Sequence, residues 1–242
     1  MVNTQNKTGS TLIEIKGVTK EYVMGDVKVK ALDGIDLIVR KGELIVILGP
    51  SGSGKSTLMN IIGGIDTPTQ GHVFFKGKDI SLFNEKELTN YRKDSIGFIF
   101  QFYNLIPSLT AEENVAIAGE LVEKPLSANE TLALVGLKEK ADSFPSQMSG
   151  GEQQRVAIAR SIVKNPEMLL CDEPTGALDS TTGKKVLKVL HDINKNWDKT
   201  VIIITHNIDI AKMAKRVIRM ADGKIVEDKI NPEPLPVERV EW

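Results

Sequence analysis

One nine-residue segment carries the most specific chemical pattern in this sequence. Gly49–Thr57 reads GPSGSGKST and matches the spacing G-x-x-x-x-G-K-[ST]. Gly52 and Gly54 allow backbone amides to turn inward around anionic oxygens, and a helix that begins at Lys55 would add the positive end of its dipole. The pattern predicts a loop that holds the phosphates of a nucleotide.

The side chains of this loop predict how the phosphates are held. Lys55 supplies a positive charge for the β and γ phosphates, and the Ser56 hydroxyl is a ligand for a Mg²⁺ ion that bridges them. The predicted nucleotide-binding residues are Gly49, Pro50, Ser51, Gly52, Ser53, Gly54, Lys55, Ser56 and Thr57. A glycine-rich turn without a ligand is the alternative, and the order Lys, Ser, Thr argues against it. By itself the loop would suit a kinase or a GTPase equally well.

Two acids follow a short apolar run. Met168–Cys171 leads directly into Asp172 and Glu173, and the carboxyl edge of a parallel sheet is where such folds bind ligands. We expect Asp172 to hold magnesium, directly or through water, and Glu173 to accept a proton from the attacking water. Taken alone, the acids would equally suit a solvated strand end or a helix cap. The phosphate loop favours the catalytic interpretation.

His206 and Gln101 follow two further apolar runs, Val201–Thr205 and Ile96–Phe100. Both side chains are therefore expected at the same sheet edge as the two acids. His206 is predicted to reach the γ phosphate, with a purely structural histidine as the alternative. Gln101 is predicted to contact magnesium and the attacking water, although alone it would indicate little.

These positions require a parallel sheet covered by helices. Leu44–Leu48 and the three runs above are short and continuously apolar, as in strands buried on both faces. Leu12–Val18 and Ile35–Val39 predict an antiparallel edge layer. Two helices are predicted with apolar faces formed by Leu58, Ile61, Ile62 and Ile65 and by Val186, Val189, Leu190 and Ile193. The predicted fold class is α/β, a phosphate-loop NTPase core with a mostly parallel sheet, an antiparallel β subdomain and an inserted helical subdomain.

The predicted organisation is one domain with an insertion. Helix-start patterns at Thr110 with Glu113 and at Ser127 with Glu130 indicate a helical region. We assign a flexible N-terminus to 1–11, the phosphate-loop NTPase core to 12–101 and 161–228, the helical subdomain with the signature described below to 102–160, and a tail to 229–242. Pro232, Pro234 and Pro236 predict that the tail is extended and lies on the surface.

Composition narrows the class of protein. The 242 residues have a formal net charge of −1 and a pI of about 6.4, so no global positive field favours nucleic acid as a partner. The longest apolar runs are far shorter than the roughly 20 residues of a membrane helix. Met1–Ser10 lacks the basic and apolar regions of a secretory signal. A cytoplasmic protein is expected, with Cys171 as a buried, inert thiol.

A second motif identifies a family. Met148–Ala157 reads MSGGEQQRVA and resembles the signature of ABC-type ATPases, usually Leu-Ser-Gly-Gly-Gln. The phosphate loop, Gln101, Asp172 with Glu173, Asp179 and His206 occur in the family's order, so the resemblance runs from about Leu12 to Glu227. It implies ATP hydrolysis with Mg²⁺ in a head-to-tail homodimer. Ser149, Gly150, Gly151 and Glu152 of one copy would close on the γ phosphate held by the other, and Asp179 lies in the family's D-loop.

Closer resemblance is to the macrolide-exporter and lipoprotein-releasing subfamily, through residues 99–115 and 172–179. Tyr22 stands where the family places an aromatic that stacks on adenine, with a strand-edge tyrosine as the alternative. The resemblance implies an ATP-hydrolysing subunit that drives a separate export-type permease and is peripheral to the inner face of the cell membrane. Phe102–Leu105 would face that permease. The alternatives are a mechanotransmitter that moves no substrate and a soluble ABC ATPase of DNA repair or translation.

Glu152 departs from the usual signature because it places an acid where the family has a neutral amide. The charge is expected to weaken closure on the phosphate. Ser149 and Glu152 also form an S-x-x-E capping box. We therefore expect Glu152 to turn back and cap its own helix, clear of the phosphate.

Overall fold

The computed structural model describes residues 9–241, which form two sheets and seven α-helices. The strands are β1 (Thr11–Met24), β2 (Val27–Arg40), β3 (Leu44–Leu48), β4 (Gln70–Phe75), β5 (Lys78–Asp79), β6 (Ile96–Ile99), β7 (Met168–Asp172), β8 (Thr200–Thr205), β9 (Arg216–Ala221) and β10 (Lys224–Ile230). The helices are α1 (Lys55–Ile62), α2 (Glu85–Ser95), α3 (Ala111–Gly119), α4 (Ala128–Leu134), α5 (Gly150–Ile162), α6 (Ser180–Trp197) and α7 (Ile208–Ala211).

The larger sheet has the order β10-β9-β3-β8-β7-β6. All its neighbours are parallel except β9 and β10, which form an antiparallel pair. Residues of β3 alternate between the two faces, and all of them are buried. The parallel strands predicted from continuous apolar runs are therefore confirmed.

Two hydrophobic cores cover the two faces of this sheet. One core packs β1, β2 and α1 against Ile45 and Ile47. The other packs α3, α4, α5 and α6 against Leu44, Val46 and Leu48. The helical region therefore shares its core with the sheet, and α5 crosses the predicted boundary between residues 160 and 161. Cys171 is fully buried, and burial raises the pKa of its thiol.

The smaller sheet has the order β2-β1-β4-β5 and is antiparallel. Thr11 pairs with Arg40 at the start of β1, and the Ser10 carbonyl accepts a hydrogen bond from Lys41 N at 3.0 Å. Residues 9–11 therefore belong to this layer, which corrects their assignment to a flexible terminus. The preceding residues 1–8 lie outside the described part of the chain.

Helix α1 ends earlier than predicted. Gly63 caps it, and Gly64 turns the chain with a φ of +67°, a conformation that favours glycine. Ile65 is consequently outside the helix and 49% exposed, so its assignment to the buried face was wrong. Leu58 and Ile61 are buried as expected.

The C-terminal tail is partly buried, in contrast to the prediction. A short 3₁₀ helix, Val237–Arg239, packs against α6, where Val237 and Val240 enter the core. Glu238 forms an ion pair with Lys188 of α6 at 3.2 Å. The prolines extend the chain, but the apolar residues after them are buried and hold the tail against the core. Trp242 lies outside the described residues.

Candidate nucleotide site

The predicted site residues converge at the carboxyl edge of the parallel sheet. Leu48 of β3 pairs with Thr205 of β8, and Asp172 of β7 pairs with Ile204, so these strands end level with one another. The loops that follow enclose a cleft of about 520 Å³. It is lined by Ser51, Gly52, Lys55, Ser56, Phe100, Gln101, Phe102, Asn104, Asp172, Glu173 and His206. The arrangement matches the general rule for ligand sites in α/β sheets.

The phosphate loop joins β3 to α1 through two glycines with positive φ. Gly52 has a φ of +79° and Gly54 of +95°. A β-carbon on Gly54 would lie 2.5 Å from the Ala31 carbonyl oxygen, so the position also requires glycine for space. Gly54 begins α1 without a side-chain cap. The start of α1 is thus built for a ligand that accepts backbone hydrogen bonds.

Lys55 is folded back onto its own loop. Its Nζ donates to the carbonyl oxygens of Gly49 and Pro50, each at 2.8 Å. Only 8% of the residue is exposed, and burial lowers the pKa of its ammonium group, while the charges of Glu173 and Asp172 oppose that shift. A buried cation held mainly by carbonyl oxygens is suited to an anionic ligand.

Asp172 and Ser56 both line the cleft and lie within hydrogen-bonding reach of each other. Burial raises the pKa of the Asp172 carboxyl, and the hydrogen bond with Ser56 partly offsets the rise. The carboxyl, the Ser56 hydroxyl and the Gln101 amide are oxygen donors of the kind that Mg²⁺ prefers, so the residues fit this ion. Within residues 9–241 no group of three His, Cys, Asp or Glu side chains is placed to hold a metal. Phosphate oxygens would therefore have to complete the ligand set.

Glu173 is held by the end of β8. Its Oε2 accepts from the Thr205 hydroxyl at 2.9 Å, and its Oε1 accepts from the His206 backbone N–H at 2.9 Å. The His206 ring nitrogen Nδ1 lies 2.8 Å from the same Oε1. Glu173 has a φ of +47°, rare for a residue with a side chain. Its carboxylate is therefore fixed in the cleft, and the His206 side chain is 72% exposed beside it.

Two groups of predicted residues outside the phosphate loop lie away from the cleft lining. Tyr22 is next to α1, where its hydroxyl donates to Asp66 Oδ2 at 2.8 Å and contacts the Thr57 side chain. The other group is the signature, Ser149–Glu152, which opens α5. The remaining loop residues, Gly49, Pro50, Ser53, Gly54 and Thr57, support the cleft without lining it.

The signature is closed by the capping box that its spacing predicts. Glu152 Oε2 accepts from Ser149 N at 2.8 Å and from the Ser149 hydroxyl at 2.9 Å, and Glu152 N donates to Ser149 Oγ at 3.3 Å. The Ser149 N–H lowers the pKa of Glu152 most, although burial opposes it. A β-carbon on Gly151 would lie 1.9 Å from the Thr182 methyl, and Asp179 caps α6 through Thr182 N at 3.0 Å. The signature and Asp179 are therefore neighbours.

Four residues of the site were not predicted from the sequence as nucleotide-site residues. Phe100, Phe102 and Asn104 line the cleft, and Thr205 orients Glu173. Asn104 has a φ of +50°, which asparagine tolerates better than most residues. Thr205 is indicated only by its position at a strand end next to His206.

Comparisons with known proteins place this site among ATP-binding cassettes. The family profile described as ABC transporter matches residues 32–176. The macrolide export ATP-binding/permease protein MacB of Marinobacter nauticus is 46% identical over 222 residues, covering 90% of this chain and 34% of MacB. The uncharacterized ABC transporter ATP-binding protein MJ0796 of Methanocaldococcus jannaschii is 45% identical over 229 residues, covering 90% and 97%. The chain therefore spans about a third of the length of MacB.

Solved structures agree with this likeness. The dimeric post-hydrolysis structure of MJ0796 bound to ADP and Pi superposes with a TM-score of 0.83 at 42% identity, over 90% of this chain and 98% of that one. The cbiO1 structure from Clostridium perfringens gives a TM-score of 0.81 at 30% identity, over 91% and 88%. The predicted fold class is confirmed.

Proposed function

The chain belongs to the ABC transporter family and is an ATPase, and from that premise we propose that two copies bind two ATP molecules between them. The observation that carries this proposal is the division of the site: Lys55, Asp172 and Glu173 converge on the cleft, whereas Ser149–Glu152 lies outside its lining. A second copy would supply the signature that completes each site. The MJ0796 structure, which is dimeric and bound to ADP and Pi, supports a dimer of this chain.

In the proposed site, the chain's own residues bind and orient ATP. The backbone amides of Gly49–Thr57 and the Lys55 ammonium would hold the phosphates. Ser56, Asp172 and Gln101 would hold Mg²⁺, which when bound neutralises charge on the β and γ phosphates. Tyr22 would stack on adenine, since its ring is exposed next to α1.

Hydrolysis depends in this proposal on Glu173 as the group that takes a proton from water. Thr205 and His206 hold its carboxylate through the hydrogen bonds described above. The exposed His206 ring would reach the γ phosphate, and Asp179 would lie where the second copy meets the first. Gln101, which also lines the cleft, would position the attacking water.

Replacing Glu173 by glutamine tests the reaction. Glu173→Gln should keep ATP binding, lower the ATPase rate by about 10² to 10⁴, as loss of a general base does, and accumulate an ATP-bound dimer by light scattering. Glu167→Gln is the matched control, because Glu167 precedes β7 at the opposite edge of the sheet, where it pairs with Lys76. A Glu173→Gln variant that hydrolyses ATP at the parent rate would rule out Glu173 as the group that takes a proton from water.

We further propose that the chain drives a permease of the macrolide-exporter or lipoprotein-releasing type from the inner face of the cell membrane. MacB, which it resembles, is named as a joint ATP-binding and permease protein. No helix within residues 9–241 has the length and apolarity to cross a bilayer. Phe102 is 72% exposed next to Gln101 and offers an apolar contact for such a partner.

Co-purification tests the membrane partner. A tagged form of the full chain, expressed with the multi-helix membrane protein encoded by the adjacent gene, should retain that protein in detergent and show ATPase stimulation by its substrate. Absence of any such gene, together with an ATPase rate that membranes leave unchanged, would count against a permease and for a soluble role.

A further inference from the structure

Gln154 joins the two backbone segments that carry the proposed catalytic groups. It lies on α5, one turn after the start of the helix, and is fully buried. Its Nε2 donates to the Phe100 carbonyl oxygen at 3.1 Å and to the Pro174 carbonyl oxygen at 2.9 Å. Phe100 directly precedes Gln101, and Pro174 directly follows Glu173. A single carboxamide therefore connects the loops that follow β6 and β7, two of the loops that line the cleft.

The orientation of this carboxamide is determined by its partners. Both are carbonyl oxygens, which only accept, so the NH₂ group must face them and a flipped amide would set oxygen against oxygen. In the described part of the chain, Gln154 Oε1 is buried without a hydrogen-bond partner. An unpaired buried acceptor costs stability. The carboxamide thus leaves one of its own polar atoms unpaired, and what it provides is the pair of donated bonds to the Phe100 and Pro174 carbonyls.

Helix α5 holds the segment after β6 at a second point. Arg160 donates from Nη1 to the Asn104 carbonyl at 2.6 Å and from Nη2 to the Tyr103 carbonyl at 2.9 Å. The segments after β6 and β7 also touch each other, since a β-carbon on Gly176 would lie 3.1 Å from Gln101 Nε2. The helix that begins with the signature thus sets the position of Gln101 as well as that of the turn after Glu173.

We propose that Gln154 is a positioning residue for ATP hydrolysis. It fixes the backbone of Phe100 and Pro174, and through them the relative placement of Gln101 and Glu173. Because α5 begins at Ser149, the same bonds tie that placement to the signature. Gln154 does not line the cleft. The inference rests on the proposed roles of Gln101 and Glu173.

Gln154→Met tests the proposal, because methionine keeps the length of the side chain and removes both donors. We expect kcat of the full chain to fall about 10- to 100-fold, the size of effect that a misplacement of about 1 Å produces. KM for ATP and equilibrium binding of a non-hydrolysable ATP analogue should stay within about twofold, since the phosphate loop is untouched. A merely structural role would lower stability without this separation of kcat from KM.

Asn194→Leu is the matched control. Asn194 Nδ2 also donates to two backbone carbonyls, those of Gly42 at 3.1 Å and Lys199 at 2.7 Å. These precede β3 and β8, at the edge of the sheet opposite the cleft. Asn194→Leu loses the same kind and number of bonds, so thermal unfolding should show a comparable loss of stability while kcat stays at the parent value.

A shorter variant covers the case in which Gln154→Met does not fold. Gln154→Asn keeps the carboxamide but withdraws it by one carbon–carbon bond, about 1.5 Å, so it cannot reach both carbonyls, and it should reproduce the fall in kcat. The proposal is overturned if Asn194→Leu lowers kcat equally, or if both Gln154 variants leave kcat unchanged. Failure of the proposed function would be recognised by a different result, because Glu173→Gln would then hydrolyse ATP at the parent rate.

Discussion

Helices α1 and α5 both begin in glycine-rich segments that the proposed function directs at the same γ phosphate, yet their first turns are built in opposite ways. Helix α1 starts at Gly54, which offers no side-chain cap, and the nearest cation is Lys55, bonded to carbonyls of its own loop. Helix α5 starts at Ser149, whose hydroxyl and backbone N–H are both engaged by Glu152.

The difference indicates how the two halves of a site divide their work. Backbone N–H groups at a helix start bind an anion when nothing else satisfies them. At α1 no side chain takes that place, so a phosphate would act as the cap. At α5 the cap is already present, so a phosphate must take the Ser149 hydroxyl from Glu152. We therefore expect α1 to determine the ATP affinity of one copy and α5 to determine how readily two copies close.

The largest expected effect comes from the α1 half. Lys55→Met should weaken ATP binding about 10- to 100-fold, because hydrogen bonds to charged groups contribute about 1.5–3 kcal/mol. Titration calorimetry on the isolated chain would measure it. Lys164→Met is the control, since Lys164 Nζ also donates to two backbone carbonyls, those of Arg92 at 3.1 Å and Ile96 at 2.9 Å, away from the cleft. Equal ATP affinities in the two variants would contradict the expectation that α1 determines the ATP affinity of one copy.

The fold could be predicted where burial alone determines the pattern of apolar residues in the sequence. Strands β3, β6, β7 and β8 are buried on both faces, so their apolar runs are continuous. Strands β9 and β10 were missed because their charges are paired within the structure: Arg216 donates to Asp228 at 2.5 and 2.8 Å and to Glu43 at 3.2 Å. A charged residue satisfied by a distant partner is indistinguishable in sequence from one facing water. The weakly amphipathic α2 and the short β4 and β5 were missed as well.

The residues of the candidate site also divide into those that could be predicted from the sequence and those that could not. Residues whose chemistry acts directly on a phosphate, such as Lys55 and Glu173, stand in motifs of fixed spacing and were predicted. Gln154 was not, because its partners are backbone carbonyls, and Phe100 lies 54 positions away along the chain. Backbone carbonyls have no residue type, so no sequence pattern marks which of them a side chain will meet. Thr205 was missed for the related reason that its partner is set by strand register.

The smallest expected effect comes from the α5 half and is the sharpest test of the comparison. In a Glu173→Gln background, Glu152→Gln should lower the ATP concentration needed for half-maximal dimer formation about two- to fivefold. Removing the charge relieves repulsion from the incoming phosphate, worth roughly 0.5–1 kcal/mol for a partly exposed pair. The substitution also weakens the hydrogen bond that the Ser149 hydroxyl donates to Glu152 Oε2 at 2.9 Å. Light scattering during ATP titration would measure the shift.

A second capping box in the same molecule provides the control. Glu113 Oε2 accepts from Thr110 N at 2.7 Å, and Glu113 N donates to Thr110 Oγ1 at 3.2 Å, at the start of α3 and outside the cleft lining. Glutamine also serves in a capping box, so Glu113→Gln and Glu152→Gln should both change stability little, and only the second should change closure. If the two variants dimerise at the same ATP concentration, the cap at α5 does not oppose phosphate binding, and the contrast with α1 is one of local structure alone.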